Sequence, residues 1–461
     1  MPYNDKSLKQ WGFLILIAIA AFITLQIALN TPFNYHPDEI MHADAICYFE
    51  SRWWPPSLGS SEVTYSPAGW SRVYTGEVVY LIYGKMSALA KPIALRIFAA
   101  PVIESSPSPF PPRVYLPVVL RLPNCIMSPK LYRILNVSLL ILTLFVVFLR
   151  GHQNVWVLVM GLTLLCIPQA LYVYAYANSD AWGLSISIFL FVFILTAKAQ
   201  IGSPRYAILL GLLVGLLLLS KESFWLSLSW ISVLVGAQYF QQWKQNTLKL
   251  SFMRTVSFFA VFFTVVLLIV SPLKLIYPLT QGEWDIKVEE MKEIKAWDGA
   301  KPSNITRPGY RLAARNEPIT VIIHNRYWFD MLVKSFYGVF GYFTVVLPNW
   351  VYIAALVMLV LNLGITIGMV WSKWSLLSFM AKALLICAPF SILLNIAASI
   401  YSSWTYDFQP QGRYLFSSLI PLAVLVAGTV SVESKKSMSL RIISWLICYG
   451  LCIYVLINYA M

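Results

Sequence analysis

An all-α, multi-span membrane protein is the fold class this sequence predicts, and three observations carry the prediction. Hydrophobic residues make up 59% of the 461 positions and charged residues only 12%, about half the ~25% of an ordinary soluble domain. The apolar residues gather in long uncharged runs, near the roughly 20 residues that a helix needs to cross about 30 Å of hydrocarbon. The basic residues, 34 Lys and Arg against 20 Asp and Glu for a net charge of +14, sit in the short gaps between runs. That placement is a membrane topology signal, not a nucleic-acid footprint, and no nucleic-acid partner is expected.

Eleven stretches are predicted as spans: 12–30, 134–149, 155–174, 181–197, 206–220, 223–240, 255–273, 349–371, 383–400, 414–431 and 442–459. The first follows Lys6 and Lys9, is long for a signal peptide, and has no small-x-small site at its end directly before Asn30, so an uncleaved anchor is expected. A cytoplasmic N-terminus puts Lys6, Lys9, Arg150, Lys198, Arg205, Lys244, Lys249, Arg254, Lys373, Lys382, Lys435, Lys436 and Arg441 inside. Only Asp5 and Glu433 oppose them there. Two long loops, 31–130 and 274–345, mix acids with bases and fall outside. The reading is therefore one transmembrane domain over 1–461 in the cytoplasmic membrane, with an extracytoplasmic C-terminus.

Residues 74–103 are apolar but carry Glu77, Lys85, Lys91 and Arg96. A charge at the bilayer centre costs about 2.5–3.5 kcal/mol, so this segment is expected to lie on the outer surface as one or two amphipathic helices. The Pro-rich piece from Pro101 to Pro112 reads as an extended connector, and Glu283 to Asp298 as a solvated outer helix. Six cysteines without a CxxC pair give no metal knuckle. Cys47 and Cys125 both fall outside, where one bridge is permitted though their spacing does not require it.

The unusual residues collect on the outer side. Directly after the first span comes Tyr35-His36-Pro37-Asp38-Glu39-Ile40-Met41-His42, holding two of the four histidines. Pro37 suits a first helical turn, Asp38 and Glu39 suit the positive end of the helix dipole, and Asp38 and His42 share a face. The plain reading is a charged helix start at a membrane edge; the sharper one is a catalytic carboxylate with a partner. The Asp-Glu-x-x-His spacing also allows a divalent metal at Asp38, Glu39 and His42, with His36 as a further ligand, although the His-Glu-x-x-His pattern of zinc proteases is missing.

Four further clusters lie on that side: Arg133 and Asn136 opening the second span, Tyr176-Ala177-Asn178-Ser179-Asp180, Ser220-Lys221-Glu222, and Asp407-Phe408-Gln409-Pro410-Gln411-Gly412-Arg413-Tyr414. Snorkelling Lys and interfacial Arg are the plain alternatives for the last two. An ionisable pair in as tight a turn as Lys221-Glu222 is a functional candidate by default, and the Arg413 guanidinium suits paired hydrogen bonds to a phosphate. A carboxylate pair with several cations at one interface suits chemistry on a lipid-linked phosphate: an acid deprotonates an acceptor hydroxyl and cations stabilise the departing phosphate.

Pro-Asp-Glu-x-x-His after the first span resembles the catalytic loop of the GT-C superfamily, multi-span glycosyltransferases that use polyprenyl-phosphate sugars. The resemblance continues in order through Arg133…Asn136, Asn178-Ser179-Asp180 after a proline-bearing helix, Gly211…Gly215…Ser220-Lys221, Ser335-Phe336-Tyr337-Gly338-Val339-Phe340-Gly341 and Gln411-Gly412-Arg413-Tyr414. It implies an inverting transfer at the outer face, with Asp38 as general base, Glu39 orienting acceptor or base, and Lys221 and Arg413 near the donor phosphate. His36, His42, Arg133, Asn178, Asp180, Glu222, Gln411 and Tyr414 complete the expected substrate site, and 74–103 matches the juxtamembrane helices. The chain departs from oligosaccharyltransferases in lacking a Trp-Trp-Asp motif and a large C-terminal soluble domain. A glycan or lipid acceptor is thus expected, in a setting such as O-antigen or other envelope polysaccharide. The alternative is a transporter or flippase of lipid-linked glycans. It would call for polar residues at mid-membrane or an inverted repeat, and the sequence displays neither.

Overall fold

The structure, a computed structural model, describes residues 5–97, 103–104, 120–122, 125–151, 154–197, 202–244, 252–304 and 311–460. Helix α1 (Asp5–Asn30) is followed by α2 (Glu39–Ser51) and α3 (Val78–Ile97), then α4 (Pro129–Gly151), α5 (Val155–Leu165), α6 (Pro168–Tyr172), α7 (Asp180–Thr196) and α8 (Pro204–Leu218). Next come α9 (Leu228–Lys244), α10 (Phe252–Ser271), α11 (Tyr277–Gln281), α12 (Trp284–Lys295), α13 (Thr320–Ile323) and α14 (Arg326–Tyr337). The chain closes with α15 (Asn349–Lys373), α16 (Phe379–Thr405), α17 (Leu419–Ala427) and α18 (Lys435–Val455).

Every predicted apolar stretch is helical over most of its length. Among the described residues seven helical segments are long and apolar enough to cross a membrane: Trp11–Asn30, Pro129–Gly151, Met253–Gln281, Asn349–Leu376, Phe379–Thr405, Gly412–Val432 and Lys435–Ala460. The stretch at 155–174, expected as one span, bends by 84° between α5 and α6. Pro168 opens α6 and its ring disfavours a helical Ile167, so the chain turns there. Helices α7 and α8 have 17 and 15 residues, short of a full crossing. They end in the buried groups Asp180 and Ser220 instead of in lipid headgroups.

The segment around 78–97 does not qualify as a span. Met86, Leu89 and Ile93 on α3 stay exposed while the helix packs along α2. Lys91 is satisfied within the protein: Glu50 accepts from Lys91 Nζ at 2.5 Å, Ser87 Oγ at 2.7 Å and Tyr132 Oη at 3.0 Å, tying α2, α3 and α4 together. Cys47 on α2 is disulfide-bonded, whereas Cys166, Cys387, Cys448 and Cys452 are free. The Pro-rich connector, apart from 103–104, lies outside the described residues. Strands β1 (Ile103–Glu104), β2 (Leu120–Leu122) and β3 (Cys125–Met127) form a small sheet in that order, parallel then antiparallel. Helix α12 covers the expected outer helix, with Val288 and Met291 buried on one side. Strands β4 (Val339–Phe340) and β5 (Val345–Val346) make a hairpin after α14.

Within the bundle α1 packs on α4, α4 on α7, α8 on α10 and α9 on α16. Chain ends that close one face of it are the end of α1, the starts of α4 and α7, the end of α8 and the turn at Gly412. The other face has its own buried ion pair, Glu433 with Arg441 at 2.5 Å, backed by Asn362 and Thr366.

Candidate active site

The loop after α1 is held from below. Asn34 and Asp38 both adopt φ +59°, a left-handed conformation that short polar side chains tolerate. Asp38 is the N-cap residue of α2, so Pro37 precedes the helix and does not occupy its first turn as expected. Glu39 accepts from Arg133 Nε at 2.6 Å and Nη2 at 2.7 Å, and from the Asn34 backbone N–H at 2.9 Å. The rest of that guanidinium donates to the carbonyls of Ala28 (3.0 Å), Thr31 (2.7 Å) and Pro32 (3.1 Å). Both side chains are buried. Glu39 and Arg133, expected against substrate, are therefore a bidentate staple between the loop, α1 and α4.

The histidines are also inward. His36 Nδ1 lies 2.6 Å from Tyr172 Oη and its ring stacks on Tyr176 at 4.3 Å. His42 Nδ1 lies 2.7 Å from Tyr80 Oη. Burial, and after it the nearby Arg133, pushes the His36 pKa well below 6.5; burial followed by Arg72, Lys221 and Arg413 does the same to His42. Both rings are buried and held toward the neutral form, His36 with its Nε2 unpartnered among the described residues. Asn178 is structural: it donates to the carbonyls of Val173 and Tyr176 and accepts the Ala181 N–H at 3.0 Å, closing the turn into α7. With Glu39 committed to Arg133 and His42 to Tyr80, the expected trio with Asp38 does not converge. Among the described residues no group of three or more His, Cys, Asp or Glu is placed to hold a metal ion.

What does converge is a chain of charges. The Asp38 side chain, 45% exposed, has Arg72 Nη2 at 3.3 Å and Arg413 Nη2 at 4.0 Å from Oδ2. Arg413 Nη1 is 3.6 Å from Asp180 Oδ2 and donates to Tyr176 Oη at 3.1 Å, while Nε donates to Gln411 Oε1 at 2.7 Å. Asp180 Oδ1 accepts from Lys221 Nζ at 2.8 Å, and that ammonium lies 4.5 Å over the Tyr414 ring. Three cations thus alternate with two carboxylates; Lys274 and Lys292 against Glu77 and Glu222 on the adjoining cavity wall leave cations in excess, which suits an anionic ligand.

Arg413 owes its position to Gly412. A Cβ there would sit 2.0 Å from Phe336 N, so only glycine lets the turn press against α14. Its N–H donates to Ser335 Oγ at 2.7 Å, and that hydroxyl donates to the Pro410 carbonyl at 3.1 Å. Hairpin β4–β5 adds a second clamp: Tyr342 Oη accepts the Asp38 N–H at 3.3 Å and donates to Asn34 Oδ1 at 3.1 Å.

Arg72, Lys221 and Tyr414 open onto a cavity of about 890 Å³, whose wall also includes Trp70, Glu77, Lys274, Trp284, Lys292, Asn395 and Ser399. Glu222 stands at its edge, 75% exposed, with Lys274 Nζ 3.8 Å away. Behind Arg413 a void of about 10 Å³ between Pro37, Tyr172 and Tyr176 matches one water. Sequence reasoning missed Arg72, Glu77 and Tyr342. Each sits in an outer loop of mixed charge or in a short hairpin, where no spacing sets it apart. Tyr176 stood at the start of a recognised cluster but carried no separate signal.

A family model described as "Predicted membrane protein (DUF2142)" matches residues 101–451. No curated protein matches the chain. Among solved structures, ArnT from Cupriavidus metallidurans bound to undecaprenyl phosphate aligns over 95% of this chain and 63% of its own, at 12% identity and a TM-score of 0.49. The present chain thus spans less than two thirds of that protein.

Proposed function

The chain belongs to the DUF2142 family of predicted membrane proteins, and from that premise we propose that it is an inverting glycosyltransferase. It moves a sugar from a polyprenyl-phosphate donor to a glycan or lipid acceptor at the outer face of the cytoplasmic membrane. The observation that carries the reading is Asp38, half exposed and within 4.0 Å of Arg413, its other partner Arg72 lining, together with Lys221, a cavity large enough for a lipid-linked sugar. Asp38 takes the proton of the acceptor hydroxyl as that oxygen forms its bond to the anomeric carbon. The carbon–oxygen bond to the phosphate breaks on the opposite side, and its electron pair leaves with the polyprenyl phosphate. Lys221 and Arg413, with Arg72 beside them, hold the departing charge. Asp180 keeps two of those cations in place without touching the reacting atoms.

Radiolabelled polyprenyl-phosphate sugar incubated with purified protein tests this. Transfer or hydrolysis in the parent and its loss in Asp38→Asn, with binding of polyprenyl phosphate retained, are expected. Equal rates in both proteins remove Asp38 as base. Carrier movement across vesicles that survives the substitution points to a flippase.

A further inference from the structure

Glu77 is a buried carboxylate with an oxygen that no donor among the described residues satisfies. The residue is 6% exposed, its Oε2 has no hydrogen-bond partner, and among the described residues it forms no ion pair. It nevertheless lines the large cavity together with Arg72, Lys221 and Tyr414. Its backbone is pinned on both sides. Lys274 Nζ donates to the Thr75 carbonyl at 2.8 Å, and the Val78 N–H donates to the Leu219 carbonyl at 2.9 Å, two positions before Lys221. Gly76, at φ +67°, makes the turn between those anchors, where a Cβ would already crowd Lys274. The carboxylate is therefore delivered beside the Lys221 turn.

A desolvated carboxylate without donors is costly, and such groups persist where a ligand supplies the missing bonds. Two uses are open to it. Charge compensation of Arg72 accounts for it only in part: Glu77 acts on the guanidinium through space, but Arg72 donates to Asp38 at 3.3 Å and gives Glu77 no hydrogen bond or ion pair. Hydrogen bonding to a ligand fits better. A carboxylate accepts from two donors at once, as adjacent hydroxyls of a sugar ring present them. Trp70, Tyr74 and Tyr414 on the same wall offer apolar faces for the ring's C–H groups.

We propose that Glu77 is the sugar-selecting residue of this site, its carboxylate accepting hydrogen bonds from a pair of adjacent hydroxyls on the donor sugar. This rests on the glycosyltransferase reading and adds to it the group that reads the sugar, as distinct from those that hold the phosphate.

The test compares parent and Glu77→Gln full-length protein in lipid nanodiscs. Dissociation constants are measured for polyprenyl phosphate alone and for polyprenyl-phosphate glucose, mannose and galactose. The bare carrier should bind both proteins within about twofold. At least one sugar-bearing carrier should bind the parent more tightly than the bare one, and that gain should shrink about tenfold in the variant. The proposal is overturned if the ratio of sugar-bearing to bare affinity is the same in both proteins, or if all carriers shift alike, the mark of a mere counter-charge to Arg72. Failure of the bare carrier to bind the parent is a different result. It removes the glycosyltransferase reading first, and Glu77's role with it.

Discussion

Arg413 Nη2 stands 4.0 Å from Asp38 Oδ2, although the two residues come from opposite ends of the chain. The guanidinium is shared between Asp38, Asp180, Gln411 and Tyr176, with each nitrogen directed at a different neighbour. It is thereby a fixed plane instead of a mobile charge. A lysine in its place can satisfy one or two of these partners at most. Arg413→Lys should therefore weaken polyprenyl-phosphate binding and turnover by roughly 10- to 100-fold with little loss of melting temperature. A binding titration beside a thermal unfolding curve checks both halves.

Glu39 and Arg133 should behave as a structural pair. Removing one partner of a buried ion pair leaves the other charge uncompensated and costs about 3–5 kcal/mol. Glu39→Ala and Arg133→Ala should each lower the melting temperature in detergent, and Glu39→Met with Arg133→Met should cost much less than the sum of the single losses. Strictly additive losses would show the two groups to be independent.

Gly412→Ala places a methyl group where Phe336 N already stands, 2.0 Å away. The turn must shift, and Arg413 with it. We expect a loss of turnover of about a hundredfold, accompanied by weaker phosphate binding. Wild-type kinetics in the variant would mean that the contact between α14 and the turn does not position the guanidinium.

Asp44, on α2, offers a pH signature. Burial raises its carboxyl from 3.8 to about 6, while the backbone N–H and the hydroxyl of Thr64, each at 3.0 Å, pull the other way. Because the folded value lies above the unfolded one, its stabilising contribution is complete below about pH 4 and is lost as pH rises through about 6. The loss is on the order of 3 kcal/mol. Asp44→Asn cannot ionise, so between pH 4 and 6.5 its melting temperature should fall less than the parent's. Parallel curves would show that Asp44 does not titrate in that window.

The membrane class and the helical stretches were written in composition, because hydrocarbon demands about 20 apolar residues per crossing whatever the neighbours are. The loop clusters were legible too, since ionisable residues are rare in such a chain and Asp38, Asp180, Lys221 and Arg413 stood out by that rarity. Their division of labour was not legible. His36, Glu39, Arg133 and Asn178 look as reactive as Asp38 in one dimension, and only packing shows them bonded inward while Asp38 keeps an open side. Arg72, Glu77 and Tyr342 reach the site through long-range contacts that leave no local pattern, and beyond the 84° bend at Pro168 Tyr172 and Tyr176 meet His36 and Arg413. Which groups could meet was a matter of residue type; which of them face a ligand was a matter of burial and hydrogen-bond satisfaction, and those exist only once distant segments have packed.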